Sequence, residues 1–306
     1  MLQYKRGDTM NDWKTPYSYF LDDTIYNCDY NIREEIGCIE KFRKWGFLKD
    51  LKWDFFAEYK ALCKNCKHYK HDIGVYFGNG NCTDNFQNKN TILCRTKIKN
   101  QDELSLFISL VPKTVKAIYF DDVQTADLSA LTKLISLECV VISYCPKLIS
   151  FWDFEKTPSL KVLKYTANSH IKDLSELSKA ENLEYFEIDS LISNTNINYV
   201  DSFYPLTKLK NLRQVSFSAL TCLDKNIDNL INIPNLCKMW ISPNTFPTED
   251  FAKFETLKFK IYDEYGIYQN GKDFICPLGK GKRFFTSDKA KDKHLKNYLE
   301  LMNKYR

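Results

Sequence analysis

The 306-residue sequence predicts an α/β fold in which short parallel strands line one face of a solenoid and tight turns run along its back. Two recurrences predict it. From about residue 111 an apolar residue, a second three places on and a third two further return again and again. They read Val115, Ile118, Phe120; Leu137, Val140, Ile142; Leu160, Leu163, Tyr165; Leu183, Phe186, Ile188; Leu212, Val215, Phe217; and Leu236, Met239, Ile241. The alternation at the last two places of each copy is that of a strand with one buried face. Ahead of the strands stands a second set at spacing three: Leu128, Leu131, Leu134 and Leu174, Leu177, Ala180, then Leu206 and Leu209, Leu230 and Ile233, Phe251 and Phe254. That spacing suits a 3₁₀ or short helical turn. Leu257 opens a last, degraded copy.

In chain order, residues 1–110 read as an amino-terminal helical and cysteine-rich capping region. Residues 31–62 are rich in helix formers and apolar at three-to-four spacing, with Gly37 and Gly46 as breaks. Four of the eleven cysteines follow at Cys63, Cys66, Cys82 and Cys94. The two-residue gap of Cys63 and Cys66 lets both sulfurs reach one tetrahedral zinc at about 2.3 Å. A structural zinc held by the four thiolates is the first reading. His68, His71, Cys28 and Cys38 are alternative ligands, and disulfides or unligated thiols are the other readings. An odd cysteine total without an export signal argues against full disulfide pairing. Redox catalysis at Cys63 and Cys66 is disfavoured, because a helix precedes them and a glycine-rich loop follows.

Residues 111–262 hold the repeats. Asp127, Asp153, Asp173, Asn229 and Asp250 stand where caps of the short turns belong. With strands and turns so arranged, this stretch resembles the leucine-rich repeat family, whose unit is Leu-x-x-Leu-x-Leu-x-x-Asn/Cys-x-Leu. Cys145, Asn168 and Asn244 occupy the Asn/Cys place, whereas Val123, Leu191 and Leu220 depart from it. The resemblance covers about half of the chain and implies a parallel sheet on a concave surface, with both ends of the stack capped. It also implies recognition of a partner through that surface.

Alternation sends three rows of residues out of the concave face. The first is Ala117, Cys139, Val162, Tyr185, Gln214 and Lys238. The second is Tyr119, Val141, Lys164, Glu187, Ser216 and Trp240. The third is Asp121, Ser143, Thr166, Asp189, Ser218 and Ser242. Tyr119, Tyr185 and Trp240 are aromatic anchors of the kind interfaces favour, and Lys164, Glu187, Asp189 and Lys238 are the charges that select a partner. An insertion at 193–205 lengthens one copy at the edge of this face.

Residues 263–306 form a carboxy-terminal cap with a basic helix. Residues 273–287 read as extended or looped, and Ser287 caps a helix whose stripe is Ala290, Leu295, Tyr298, Leu299, Met302 and Tyr305. Lys280, Lys282 and Arg283 beside Phe284 and Phe285 suit phosphate contact and base stacking, but lack the spacing of a phosphate-binding loop.

Composition sets the remaining limits. The 44 basic and 39 acidic residues leave +5 at neutral pH, too mild by itself for a nucleic-acid binder. No apolar run reaches the roughly 18 residues of a membrane span, and no signal-peptide core follows the basic start, so a cytoplasmic protein is expected. With four histidines and no triad or carboxylate pair at diagnostic spacing, no enzyme is expected. The expected function is non-catalytic binding of another protein, as an adaptor, inhibitor or toxin-neutralising partner. Nucleic-acid binding through the cysteine-rich loop and basic tail is the alternative.

Overall fold

All six copies of the strand pattern become strands. The computed structural model describes residues 73–76, 91–167, 170–190, 198–218, 220–270, 274–281 and 284–306. The chain divides into two compact units, Met1–His71 and Asp72–Arg306, and every described residue belongs to the second. The expected helix at 31–62 lies outside the described residues, as do Cys63, Cys66 and Cys82.

The six copies supply β3 (Ala117–Val123), β4 (Cys139–Ile142), β5 (Val162–Ala167), β6 (Tyr185–Ser190), β8 (Gln214–Phe217) and β10 (Lys238–Ile241). They pair in parallel, in sequence order and in one register: Ile118 opposes Val140, then Leu163, Phe186, Val215 and Met239. Every apolar residue of the pattern, from Val115 to Ile241, is buried.

Two further strands lengthen the sheet at its amino-terminal end, β1 (Ile73–Tyr76) and β2 (Thr91–Ile98). They continue the register, with Ile92 opposite Ile118 and Cys94 opposite both Phe120 and Tyr76. The sequence pattern conceals this copy because Lys89 stands where the first apolar residue belongs. A helix, α1 (Gln101–Leu110), replaces the turn between β2 and β3. Asn100 caps it by accepting from the Glu103 N–H at 2.9 Å, and Glu103 reaches back to the Lys99 N–H at 2.8 Å. Pro112 stands just beyond its end, where a further helical turn would need an N–H that proline lacks.

Behind the strands run 3₁₀ turns at Ser129–Lys133, Phe154–Lys156, Ser175–Lys179 and Tyr204–Lys208, then the short helix α2 (Asp228–Ile231). Each packs on the next, from α1 at one end to α3 (Thr248–Leu257) at the other. The leucines that fill the core also carry the turn hydrogen bonds. Leu131 N–H donates to Leu128, Leu134 to Leu131 and Leu137 to Leu134, at 2.9–3.1 Å, and the chain from Leu174 to Leu183 repeats this. Spacing of three thus serves packing and backbone satisfaction at once.

The caps follow a stricter rule than the sequence reading assigned. Asp127, Asp173, Ser202 and Asn226 each accept from the N–H two residues on, at 2.8–3.0 Å, and Asp153 does so at 3.2 Å. Asn229 and Asp250 are not caps. Asn229 lies within α2 and donates to Asp224 and Ser202, while α3 starts after Pro247 with no side-chain cap.

The degraded seventh copy does not become a strand. Residues 248–257 favour helix, with Glu249 and Asp250 in its first turn where the dipole favours them, so α3 runs through Leu257 and leaves that side chain half-exposed. Ile261 and Tyr262 are buried beyond it, and the Tyr262 hydroxyl donates to the Ile241 carbonyl at the edge of β10. The insertion forms a separate two-stranded parallel sheet, β7 (Asn198–Val200) with β9 (Leu220–Cys222).

The stretch at 273–287, expected to be extended or looped, contains a strand. β12 (Phe274–Pro277) pairs antiparallel with β11 (Ile267–Asn270). Ser287 then caps α4 (Asp288–Tyr305), its hydroxyl accepting from the Ala290 N–H at 3.2 Å. Tyr298 and Met302 are the buried part of the expected stripe, and Leu299 is half-exposed. Inside the repeats, aromatic rings run from Tyr165 through Phe186, Phe217, Phe203 and Phe246 to Phe251, at centroid distances of 4.9–6.3 Å.

Candidate functional site: the inner face of the sheet

The face turned away from the 3₁₀ turns is more buried than alternation predicts. In the first row Ala117, Cys139, Val162, Tyr185 and Gln214 are buried, and Lys238 alone is half-buried. In the second, Val141, Glu187 and Ser216 are buried, whereas Tyr119, Lys164 and Trp240 are half-buried. In the third, Thr166 is buried and Ser143, Asp189, Ser218 and Ser242 are half-buried; the Asp121 side chain lies outside the description. β4 is apolar at every position from Cys139 to Ile142 and is buried on both faces, as central parallel strands are.

At the centre of this face the nominated charges come together. Parallel register sets Lys164 on β5 opposite Glu187 on β6, and Thr166 opposite Asp189. The Lys164 Nζ lies 2.9 Å from Glu187 Oε1 and 3.3 Å from Asp189 Oδ2. The Tyr185 hydroxyl donates to Glu187 Oε2, and the Ser218 hydroxyl to Asp189 Oδ1 at 2.6 Å. Both Glu187 oxygens therefore have donors, as a buried carboxylate requires. Tyr185 is a correction to the sequence reading: with its side chain fully enclosed, it braces Glu187 and does not protrude as an anchor.

A second charged ladder runs along the residue just before each strand. Glu138 takes Lys116 Nζ at 2.5 Å on one oxygen and Lys161 Nζ at 3.1 Å on the other, and Arg213 lies 3.7 Å from Glu184. The signs alternate from repeat to repeat: Lys116, Glu138, Lys161, Glu184, Arg213. Above it, asparagines tie turn to turn. Asn182 donates to the Pro158 carbonyl at 2.8 Å, Asn211 to Glu181 at 2.9 Å and Asn235 to Lys210 at 2.6 Å. Sequence reasoning missed both series, although three Asn-Leu pairs at the starts of successive copies were the signal for the second.

At the Asn/Cys place, the buried Cys145 thiol donates to the Thr166 carbonyl at 3.6 Å, and burial pushes its pKa up to about 12. It is a structural donor, not a nucleophile. Asn168 lies outside the described residues, and Asn244 is exposed.

Lys238 and Trp240 stand on edge strand β10 and Tyr119 on β3, all three half-buried. Of the nominated metal ligands, Cys94 is described. It is buried on β2 at the register of Phe120. Among the described residues no group of three or more His, Cys, Asp or Glu is placed to hold a metal. At the carboxy terminus Lys280 is exposed and Phe284 is 58% exposed, whereas the Phe285 ring packs 5.6 Å from His294. Among the described residues no helix is long and apolar enough to cross a membrane.

No family model matches this sequence, and no curated protein does. Among solved structures, an internalin C2 from Listeria monocytogenes is similar at 20% identity with a TM-score of 0.37. The match covers 51% of this chain and 65% of that one. A second internalin from the same organism is similar at 17% identity and a TM-score of 0.37, over 56% of this chain and 53% of its own. The chain thus spans less than two thirds of either internalin.

Proposed function

We propose that this chain is a cytoplasmic, non-catalytic module that holds another protein against the inner face of its repeats, as an adaptor, inhibitor or toxin-neutralising partner. The observation that carries this reading is the cross-strand polar cluster of Lys164, Tyr185, Glu187, Asp189 and Ser218, with Lys238 and Trp240 half-open beside it on β10. Its hydroxyls and charges are fixed by one another, so a partner meets preset geometry and little side-chain entropy is lost on docking. Charges tied up in this way favour selection of a partner over acid–base work. Trp240 supplies the kind of aromatic surface that dominates interface energetics.

The experiment is capture with the full chain as bait, repeated with Trp240→Ala and Lys238→Glu. Both positions are half-buried at a sheet edge, so circular dichroism should be unchanged while the retained partner falls at least about tenfold, the usual scale for an interface anchor. Undiminished capture by both variants would remove the inner face from the reading. Retention that survives a rise in salt separates this function from nucleic-acid binding, which loses affinity steeply as salt rises.

The four-cysteine expectation rests on the Cys-x2-Cys spacing alone. About one equivalent of zinc is expected by elemental analysis of protein kept reduced throughout. Less than about half an equivalent would exclude a structural zinc there.

A further inference from the structure

Residues 280–296 carry seven basic and two acidic side chains, a net of +5 that equals the charge of the whole chain, so the remaining residues balance. That stretch leads into α4 and includes its first half. On the helix Lys289, Lys293 and Lys296 stand at i, i+4 and i+7. They form one stripe on the side opposite the buried Tyr298 and Met302, and all three are exposed. Lys291 and Lys304 reach acids of the body, Glu264 at 3.9 Å and Glu249 at 2.7 Å. Among the described residues the three stripe lysines have no ion pair, although Asp292 stands beside them and Glu300 one turn beyond. Stability does not account for the stripe. Lys289 occupies the first turn, where the helix dipole disfavours a cation, and each lysine has a like charge three or four residues away.

We infer that the lysine stripe of α4 is a docking surface for the phosphate backbone of a nucleic-acid duplex, independent of the inner face. Charge complementarity calls for an anion, and the composition of the stripe tells which. Interfaces between proteins are depleted of lysine and centre on aromatic or apolar anchors. This stripe is bordered by Asp292, Asn297 and Glu300, with Leu299 only at its flank. Insertion into a lipid surface needs an apolar face, and single strands are held by stacking their bases on aromatic rings. A duplex backbone needs only cations held in line. The helical rise sets Lys289 and Lys296 about 10 Å apart along the axis. Over that length a duplex carries roughly six negative charges. Contacts of this kind read no base edges, so binding is independent of sequence.

The test uses the full chain and a fluorescein-labelled 20-base-pair DNA duplex of mixed sequence, with anisotropy read from about 50 to 200 mM salt. Three phosphate contacts set the slope of log affinity against log salt at about −2.7 or steeper. Lys293→Gln should make it shallower by about 0.9, and the triple variant Lys289→Gln, Lys293→Gln and Lys296→Gln by about 2.7. Glutamine keeps the helix propensity of lysine, so circular dichroism should not change. Lys291→Gln removes the same charge from the side that meets Glu264 and should leave the slope as it is, whereas Asp292→Asn and Glu300→Gln should tighten binding. An effect of Lys291→Gln equal to that of Lys293→Gln would overturn the inference, because net charge and not the stripe would then be acting. So would no binding at the lowest salt, or a slope untouched by the triple variant. Equal or tighter binding of a polyglutamate of the same charge, of a 20-nucleotide oligothymidine or of phosphatidylserine vesicles would overturn it too. Trp240→Ala should leave duplex binding intact and the triple variant should leave protein capture intact, so either reading can fail without the other.

Discussion

Lys164→Met should destabilise the protein by about 3–5 kcal/mol, the scale for removing one partner of a buried ion pair. The Lys164 and Glu187 side chains are 16% and 8% exposed, so little water is at hand to solvate whichever charge is left behind. Without Lys164, Glu187 keeps the Tyr185 hydroxyl on one oxygen and loses its cation on the other, while Asp189 keeps Ser218. The cost arises from that stranded charge and not from the strength of the original pair. The double variant Lys164→Met with Glu187→Met should therefore recover a large share of the loss, since two apolar side chains suit a site already flanked by Val141 and Val162. Urea denaturation of the single and double variants checks this. A Lys164→Met loss below about 1 kcal/mol would mean that the cluster is solvated like an ordinary surface pair. The same variant separates stability from recognition: partner binding should fall beyond what the unfolded fraction accounts for, because Glu187 and Asp189 lose the cation that sets their positions.

What the sequence made legible follows from how each feature is encoded. A repeat strand needs three apolar side chains at fixed spacing, and β3, β4, β5, β6, β8 and β10 meet that condition locally. β2 does not, because Lys89 replaces the first of the three, and its membership in the sheet depends on pairing with β3. Turn caps were legible as a class, though position mattered. Asn226 caps where Asn229 was expected to, and Ser202 caps the Tyr204–Lys208 turn, for which no cap was assigned, since the bond runs to the N–H two residues on and a hydroxyl serves as well as an amide. Alternation told which side of the sheet Tyr185 and Gln214 occupy, but not how deeply they are enclosed. Enclosure depends on what packs against the face, which no single repeat encodes. The Lys164, Glu187 and Asp189 cluster was legible as a set of residues in shared rows. Its closure by Ser218, from a later repeat, appears only in three dimensions.

Gly266→Ala should cost about 3 kcal/mol or more and loosen α4 selectively, because two separate penalties fall on one residue. Gly266 has φ of +70°, a left-handed conformation that costs alanine about 1 kcal/mol. A Cβ there would also lie 2.6–2.9 Å from the Tyr298 ring, and the ring cannot yield without moving its helix. Tyr298 is enclosed, and its hydroxyl donates to Glu255 Oε2 at 2.8 Å, so displacing it breaks the link from α4 to α3. Glu255 also accepts from Ile261 N–H at 2.9 Å and Gly266 N–H at 3.3 Å, and His294 Nε2 lies 2.9 Å from the Gly266 carbonyl. One buried carboxylate thus joins α3, the following turn and α4. Hydrogen exchange should show amides of α4 losing protection before those of β3 to β10, and thermal melting should register the overall loss. Tyr298→Phe, which keeps the ring and deletes the hydroxyl, should cost a smaller 1–3 kcal/mol or about that. Burial raises the Glu255 pKa against the pull of its three donors. The folded state therefore holds this proton more tightly than the unfolded chain, and the group's contribution to stability falls as pH rises from the ordinary glutamate range through the raised folded value. Glu255→Gln should flatten that slope. A slope identical in wild type and Glu255→Gln, together with uniform exchange across α4 and the strands in Gly266→Ala, would show that the carboxylate does not clasp the helix.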